Sequence, residues 1–474
     1  MRHQLTKLMN LKLTLLLFVL MSLAKTQNPI IRDQFSADPT ARVFNGKVYL
    51  YPSHDIMPPQ GVDSCQNWFC MEDYHVFSSE NLTQWTDHGV IITQNKVPWV
   101  KPNSYAMWAP DCVYRNEKYY FYFPAQPKNG GFGIGVAISD NPEGPFIPEQ
   151  QPIQGVMGID PCVLQASDGN AYLFWGNGQC AMLKPNMKEL EGNSKSCLNG
   201  LPNNRAEGPF AFEYNGNFYL TYPYVRQDTE VLAYAMSKNP LGPYTYKGLI
   251  MAEHANGCWT NHHSIINYKD QWYLFYHHNV FSPNDDKRRS VQIEKLYFND
   301  DGTIQEVKET MRGVGINQAT EKIEIDRYSN ASEDVTTALI DEKNPFLSLE
   351  ATLPSKGSWL KYNDVDFDCI KDGELTININ ILDDTKFCIR EGSTEGTVIA
   401  CLDVKKSKEW LTEKANLEYV PKGVIDLVIT NEGEGAVSVN WVKFINTPNK
   451  DKEKENEKEE EEEEVPNKED FTEN

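Results

Sequence analysis

"FSADPTARVFNGKVYLYPSHD", Phe35 to Asp55, sets a carboxylate before a proline and then runs through an apolar strand, an Asn-Gly turn and an aromatic-rich returning strand. Asn45-Gly46 supplies the positive φ that a two-residue hairpin turn requires, so the stretch predicts a β-hairpin with an acid at its mouth. Four later segments repeat the pattern: "CVYRNEKYYFYFPA" from Cys112, "CVLQASDGNAYLFWG" from Cys162, "FAFEYNGNFYLTYP" from Phe210 and "SIINYKDQWYLFYH" from Ser264. Their turns fall at Asn116-Glu117, Asp168-Gly169, Asn215-Gly216 and Lys269-Asp270.

The copies start roughly 50 to 70 residues apart, the spacing of propeller blades built from four-stranded sheets. "SSENLTQW" at Ser78, "ISDNPEGPF" at Ile138 and "MSKNPLGPY" at Met236 are related to one another and mark turns after a third strand. A sandwich of unrelated hairpins would alternate too, but would not repeat this vocabulary in register. The expectation is an all-β chain with a five-bladed β-propeller over residues 28–315.

Reading backward from each first strand gives "SADPT", "WAPDC", "GIDPC", "AEGPF" and "NHHS". In a propeller the innermost strands converge on the axis, so residues at their entries project into one funnel. Asp38, Asp160 and Glu207 therefore become neighbours, although an Asp ahead of a strand is by itself an ordinary turn former. Carboxylates crowded in a partly dry funnel have their pKa values pushed apart, which lets one stay protonated while another is ionised. Asp111, one residue out of step with the other acids, reads as structural. The adjacent histidines of "YHH", Tyr276 to His278, point to opposite faces of a strand and do not make a shared metal site.

Elsewhere the chain changes character. Of its 474 residues 40% are hydrophobic and 11% aromatic, enough for a core; the net charge is -22, with a disproportionate share of the acids in the segment 447–474. That segment reads as a disordered, solvated acidic tail. Without a basic stripe there is no electrostatic case for nucleic acid or an anionic membrane as partner, and a monomer is expected. Residues 1–24 carry basic residues, an apolar run from Leu13 to Met21 and Ser22-Leu23-Ala24, the pattern of a cleaved signal peptide. Secretion makes the ten cysteines disulfide candidates, Cys65 with Cys70 and Cys180 with Cys197 being local pairs, and makes Asn81 and Asn330 glycosylation sequons. From Thr320 to Asn446 alternating strands such as "ELTININ" and "VIDLVIT" predict a β-sandwich, jelly-roll-like domain.

"SADPTARVFNGKVYLY", "MWAPDCVYRNEKYYFYF", "GIDPCVL" and "AEGPFAFEYNGNFYL", in that order, resemble glycoside hydrolase family 43. The resemblance implies a five-bladed propeller in which Asp38 is the general base, Glu207 the general acid, and Asp160 the residue that orients Glu207 and raises its pKa. It implies single-step inversion, with the Asp38 and Glu207 carboxyls roughly 6.5–9.5 Å apart to admit a water. It also implies Trp108 as a sugar-stacking residue at the rim, and an arginine from "DDKRRS", Arg288 or Arg289 with Arg289 favoured, as a substrate-binding residue. His262 matches a family histidine near the axis that contacts substrate or holds a structural calcium through water. No cofactor is expected in the chemistry. The C-terminal segment from Cys401 resembles carbohydrate-binding module family 6, which implies sugar contact by Trp410 and Asn440.

The expected activity is a secreted, inverting glycosidase releasing arabinose or xylose from plant cell-wall polysaccharide. An α-L-arabinofuranosidase on arabinoxylan is favoured over a β-xylosidase or arabinanase. A non-catalytic, lectin-like propeller is the alternative from another class. The loops at Asp55 to Trp68 and Val97 to Ser104 are expected to shape the pocket.

Overall fold

The computed structural model describes residues 28–254, 258–341, 343 and 349–446. The expected signal peptide and acidic tail lie outside them. Contacts divide the chain into two units, the first running through Gly315 and the second beginning at Ile316.

The first unit contains five antiparallel sheets, each a meander in chain order. Blade one is Ala37–Phe44, Lys47–Ser53, Asp73–Ser79 and Thr86–Thr93; blade two runs from Asp111–Arg115 to Ile147–Pro148. Blade three runs from Cys162–Gln165 to Leu190–Ser196, blade four from Phe210–Tyr214 to Thr245–Met251, and blade five is His263–Tyr268, Gln271–His278 and Ser290–Leu296. The first strand of each blade packs on the first strand of the next, and that of blade five returns to that of blade one. The ring is closed, and the expected five-bladed propeller is what the repeats build.

Four of the five inner hairpins turn in two residues at the expected places. Asn45, Asn116, Glu117, Asn215, Lys269 and Asp270 all take positive φ there. Blade three differs. Its inner strand stops at Gln165 and the next begins at Ala171, so the Asp168-Gly169 turn sits in a five-residue loop. Asp168 accounts for the difference: its carboxylate accepts from the Asn170 amide at 2.9 Å and from the Tyr172 hydroxyl at 2.6 Å, holding a wider turn.

The ring is tied by side chains as well as by apolar packing. Arg42 on blade one forms two bonds to Asp111 on blade two, at 2.9 and 2.7 Å, and Asp111 accepts the Val163 amide of blade three at 2.6 Å. Asp111 is thus structural, the buried centre of a three-blade tie. Closure comes from the start of the described chain, which runs along the free edge of blade five. Ile30 donates to Val291 at 3.0 Å and Ser36 to Arg289 at 2.8 Å. Asn28, fully buried, donates to the carbonyls of Ile293 and Thr310 and accepts from the Ile293 amide.

The second unit is a sandwich of two sheets. One contains Trp359–Asp366, Val424–Asn431, Thr385–Glu391 and Val398–Val404; the other contains Leu349–Leu353, Val437–Asn446, Gly373–Ile381 and Trp410–Asn416. Alternate residues such as Leu375, Ile377, Ile379, Leu427, Ile429, Val439 and Val442 fill its core. Disulfides join Cys65 to Cys70 and Cys180 to Cys197, the two expected local pairs, and Cys388 to Cys401.

Replacing Asn28 by Ala removes one side chain but strands several buried backbone groups. Asn28→Ala is expected to destabilise the propeller by about 2–4 kcal/mol, read from the shift in denaturant midpoint. A loss under about 0.5 kcal/mol would show that the chain start does not close the ring.

Candidate active site

Asp38 and Asp160 stand at the entries of the inner strands of blades one and three, each followed by proline. Both have left-handed backbone, φ 45 and 55. A residue before proline is sterically pressed toward extended conformations, so two acids held at positive φ there are strained. The strain re-aims the side chains: the blade-one ladder shifts register between Ala37 and Thr40, at Asp38.

Asp38 is 5% exposed and fully engaged. Arg289 donates to Oδ1 through Nη1 at 2.9 Å and to Oδ2 through Nη2 at 3.4 Å, and Ser53 donates to Oδ2. The Asp38 amide donates to His277 Nδ1 at 3.1 Å, while His277 Nε2 lies 3.1 Å from the carbonyl of Thr260. Burial alone would raise the Asp38 pKa, but the Arg289 charge outweighs it and holds the carboxyl well below the ordinary range. Burial, reinforced by Arg289, pushes the His277 imidazolium down to about 3, so the ring is neutral.

Arg289 also spans Asp55, with Nε to Oδ2 at 2.9 Å and Nη2 to Oδ1 at 3.0 Å, and its amide donates to Asp55 Oδ2 at 2.8 Å. The guanidinium lies 4.4 Å from the ring centre of Phe69. Of the two arginines, Arg289 points into the site; Arg288 turns to Asp285. The partners of Arg289 at hydrogen-bonding range are the carboxylates of Asp38 and Asp55 and the hydroxyl of Thr260.

Asp160 accepts the Gly208 amide at 3.0 Å, which seats it beside Glu207. Burial first, then the charges of Glu207 and Asp38, raise Asp160 well above the ordinary range. Burial and Asp38 likewise push Glu207 up to about 7. A further acid joins them: Glu230, 1% exposed, accepts the Asn261 amide at 2.7 Å. Burial and Glu207 raise Glu230 well above the usual range. The site thus holds one carboxylate kept ionised by an arginine, three acids pushed toward their protonated forms, and Asp55, whose pKa burial raises against the opposing charge of Arg289.

His262 is 8% exposed and lies against Gly208, where an added Cβ would stand 2.8 Å from Nδ1. Burial lowers its pKa. It supplies one nitrogen, whereas calcium takes six to eight oxygens, and Asp38 is committed to Arg289 and Ser53. These residues do not form a direct calcium site. Trp108 is half-buried, its ring 4.7 Å from that of Phe132 and its indole nitrogen buried without a partner. Trp410 and Asn440 lie on one sheet of the sandwich, both half-buried, Trp410 pairing with Asn380. A 690 Å³ groove between Val398–Val404 and Trp410–Asn416 is lined by Lys405, Lys406, Glu413 and Lys414 and includes neither residue.

Asp55, His277 and Glu230 escaped the sequence reading. Asp55 ends the quoted opening stretch and heads the expected pocket loop, and its burial was the missing datum. His277 and His278 follow strand parity, the first toward Asp38 and the second toward Glu309, but parity names no partner. Glu230 sits at the start of a third strand and carries no sequence signal. Trp68, 46% exposed on the Cys65–Cys70 loop, faces Trp259 ahead of blade five with ring centres 6.3 Å apart, an aromatic pair that composition alone does not locate.

Two expectations follow. The rate constant kcat/KM should fall as pH rises through about 7, where Glu207 loses its proton, and hold through mildly acidic pH, where Asp38 stays ionised. Arg289→Lys keeps the charge but not the fork that grips two carboxylates, so it should move the acidic limb up by about 1–2 pH units. An unchanged acidic limb would remove Arg289 as the group that tunes Asp38.

Residues 26–304 match the family model "Glycosyl hydrolases family 43", and residues 330–446 match "Carbohydrate binding module (family 6)". A xylosidase/arabinosidase 43A of Humicola insolens is 37% identical over 58% of this chain and 98% of its own length. An arabinoxylan arabinofuranohydrolase of Bacillus subtilis is 27% identical over 80% of this chain and 83% of its own. Among solved structures, a β-xylosidase/α-arabinofuranosidase from a compost microbial metagenome, in complex with xylotriose, superposes with a TM-score of 0.54 at 34% identity, covering 60% of this chain and 97% of that one.

Proposed function

Because the chain belongs to glycosyl hydrolase family 43 and is a glycoside hydrolase of its xylosidase/arabinofuranosidase group, we propose that it releases arabinose from arabinoxylan by single-step inversion. The observation that carries this reading is the opposite treatment of two acids in one funnel: Arg289 keeps Asp38 ionised, and burial keeps Glu207 near a pKa of 7. Asp38 takes a proton from a water attacking the anomeric carbon. Glu207 gives its proton to the departing glycosidic oxygen. Asp160, seated by the Gly208 amide, orients Glu207 and sustains its raised pKa. Trp108 and His262 flank the sugar, and no cofactor takes part; any calcium near His262 would be held through water and serve structure alone.

The second unit would hold the polysaccharide near the propeller and raise its local concentration, with Trp410 and Asn440 as sugar contacts. Export from the cell is part of the same proposal, supported by the N-terminal sequence pattern and three disulfides. The enzyme would act as a monomer. A second reading, cleavage of β-xylosides, draws support from relatives named for both activities, and from a β-xylosidase of Xylanibacter ruminicola that is 35% identical.

Nitrophenyl α-L-arabinofuranoside and β-D-xyloside, assayed side by side with arabinoxylan, decide between the two pentoses. Proton NMR of the first product should show the inverted anomer; the retained anomer would overturn the mechanism. Glu207→Gln should reduce release from arabinoxylan by about 10²–10⁴-fold and affect the nitrophenyl glycoside less, since nitrophenolate leaves with little protonation.

A further inference from the structure

Behind the active site, on the opposite face of the strand that presents His277, lies a cluster the glycosidase chemistry does not use. His254 follows the last strand of blade four, His278 ends the middle strand of blade five, and Glu309 lies in the segment beyond blade five. His254 Nδ1 is 2.7 Å from Glu309 Oε2, and His278 Nε2 is 3.8 Å from the same oxygen. One donor atom from each residue lies within 4.8 Å of the others.

Both rings are deeply buried, 4% exposed for His254 and 5% for His278, and locked in orientation. The His254 ring stacks at 6.1 Å on Tyr276 and meets the His278 ring edge-on at 4.8 Å. His254 Nε2 and both ring nitrogens of His278 are buried without a hydrogen-bond partner. A buried imidazole unmatched at both nitrogens calls for a ligand, because every neutral tautomer carries one N–H donor and one bare acceptor.

We propose that His254, His278 and Glu309 form a binding site for a divalent transition-metal ion of the zinc class. Two imidazole nitrogens and one carboxylate oxygen suit zinc and its neighbours, whereas calcium and magnesium prefer all-oxygen shells. Bonds of about 2.0–2.2 Å in a tetrahedral shell put donors roughly 3.3 Å apart, so binding opens the 2.7 Å contact and draws in the 3.8 Å one by roughly half an ångström each, and brings the two imidazole donors, within 4.8 Å of one another, to the same spacing. Three protein ligands leave one position for water. The ion would join the end of blade four, the middle strand of blade five and the closing segment. That segment also pairs with blade four through the Val307 amide, 2.7 Å from the Ile250 carbonyl. The site is a structural clasp, and the strand it grips carries His277 toward Asp38 on its other face.

The full-length chain, stripped of metal with a chelator, is titrated with zinc against a chromophoric competitor. One tightly held equivalent and a rise in thermal midpoint are expected. Glu309→Gln and His278→Ala should each weaken that binding by at least ~100-fold. A different cluster, His54, Asp73 and His75, supplies the control: His75→Ala should leave the tight equivalent in place. Cobalt loading of the unaltered protein needs no variant and should give the intense visible bands of a four- or five-coordinate site with nitrogen ligands. No tight equivalent, weak six-coordinate cobalt bands, or loss of zinc in His75→Ala but not in Glu309→Gln would each overturn the proposal.

Discussion

One buried guanidinium organises the active end of the propeller. Arg289 grips Asp38 and Asp55 at once, with Phe69 against its face, and all three charged groups are 5% exposed or less. Removing three charges from water is expensive, and only well-formed hydrogen bonds offset that penalty. Here those bonds exist, and they serve reactivity: Asp38 is made a carboxylate that stays ionised, beside acids that the same dry surroundings drive toward protonation. Lysine could not replace the arginine, because a point charge cannot bond two planar carboxylates in fixed orientation.

That ion cluster depends on ring closure. Arg289 opens into the last strand of blade five, Asp38 enters the first strand of blade one, and the chain start runs between them along the strand that Arg289 precedes. Residues 251 apart in sequence meet because the two ends of the propeller are neighbours in space. The backbone strain at Asp38 and Asp160 belongs to the same scheme. Left-handed residues before proline persist only where surrounding bonds over-determine them, and the bonds from Ser53, His277 and Gly208 do so.

Much of this was legible along the chain. Five hairpins with shared wording located the blades, the acids ahead of three of them located the funnel, and the residues before "SVQIEKLYF" located an arginine. What escaped had a common cause. Asp55, Glu230 and His277 lie on second and third strands or at their ends, away from the repeated entry position, and nothing in their neighbours distinguishes them from ordinary loop or strand residues. The five-residue turn of blade three escaped because Asp168 prefers to bond its own backbone, a local choice that the Asp-Gly pair does not reveal.

The order of residues alone determined the blade count and the hairpin turns, because strand alternation, turn-forming pairs and repeat spacing are local properties, and the class of chemistry entered through the motifs' resemblance to a known family. Only the tertiary structure decided which of two adjacent arginines enters the site, which face of "YHH" meets Asp38, and which acids keep their protons. Those are questions of burial and distance between residues remote in sequence. A pKa is set by the solvent a group has lost and the charges that replaced it, and neither exists until the ring has closed.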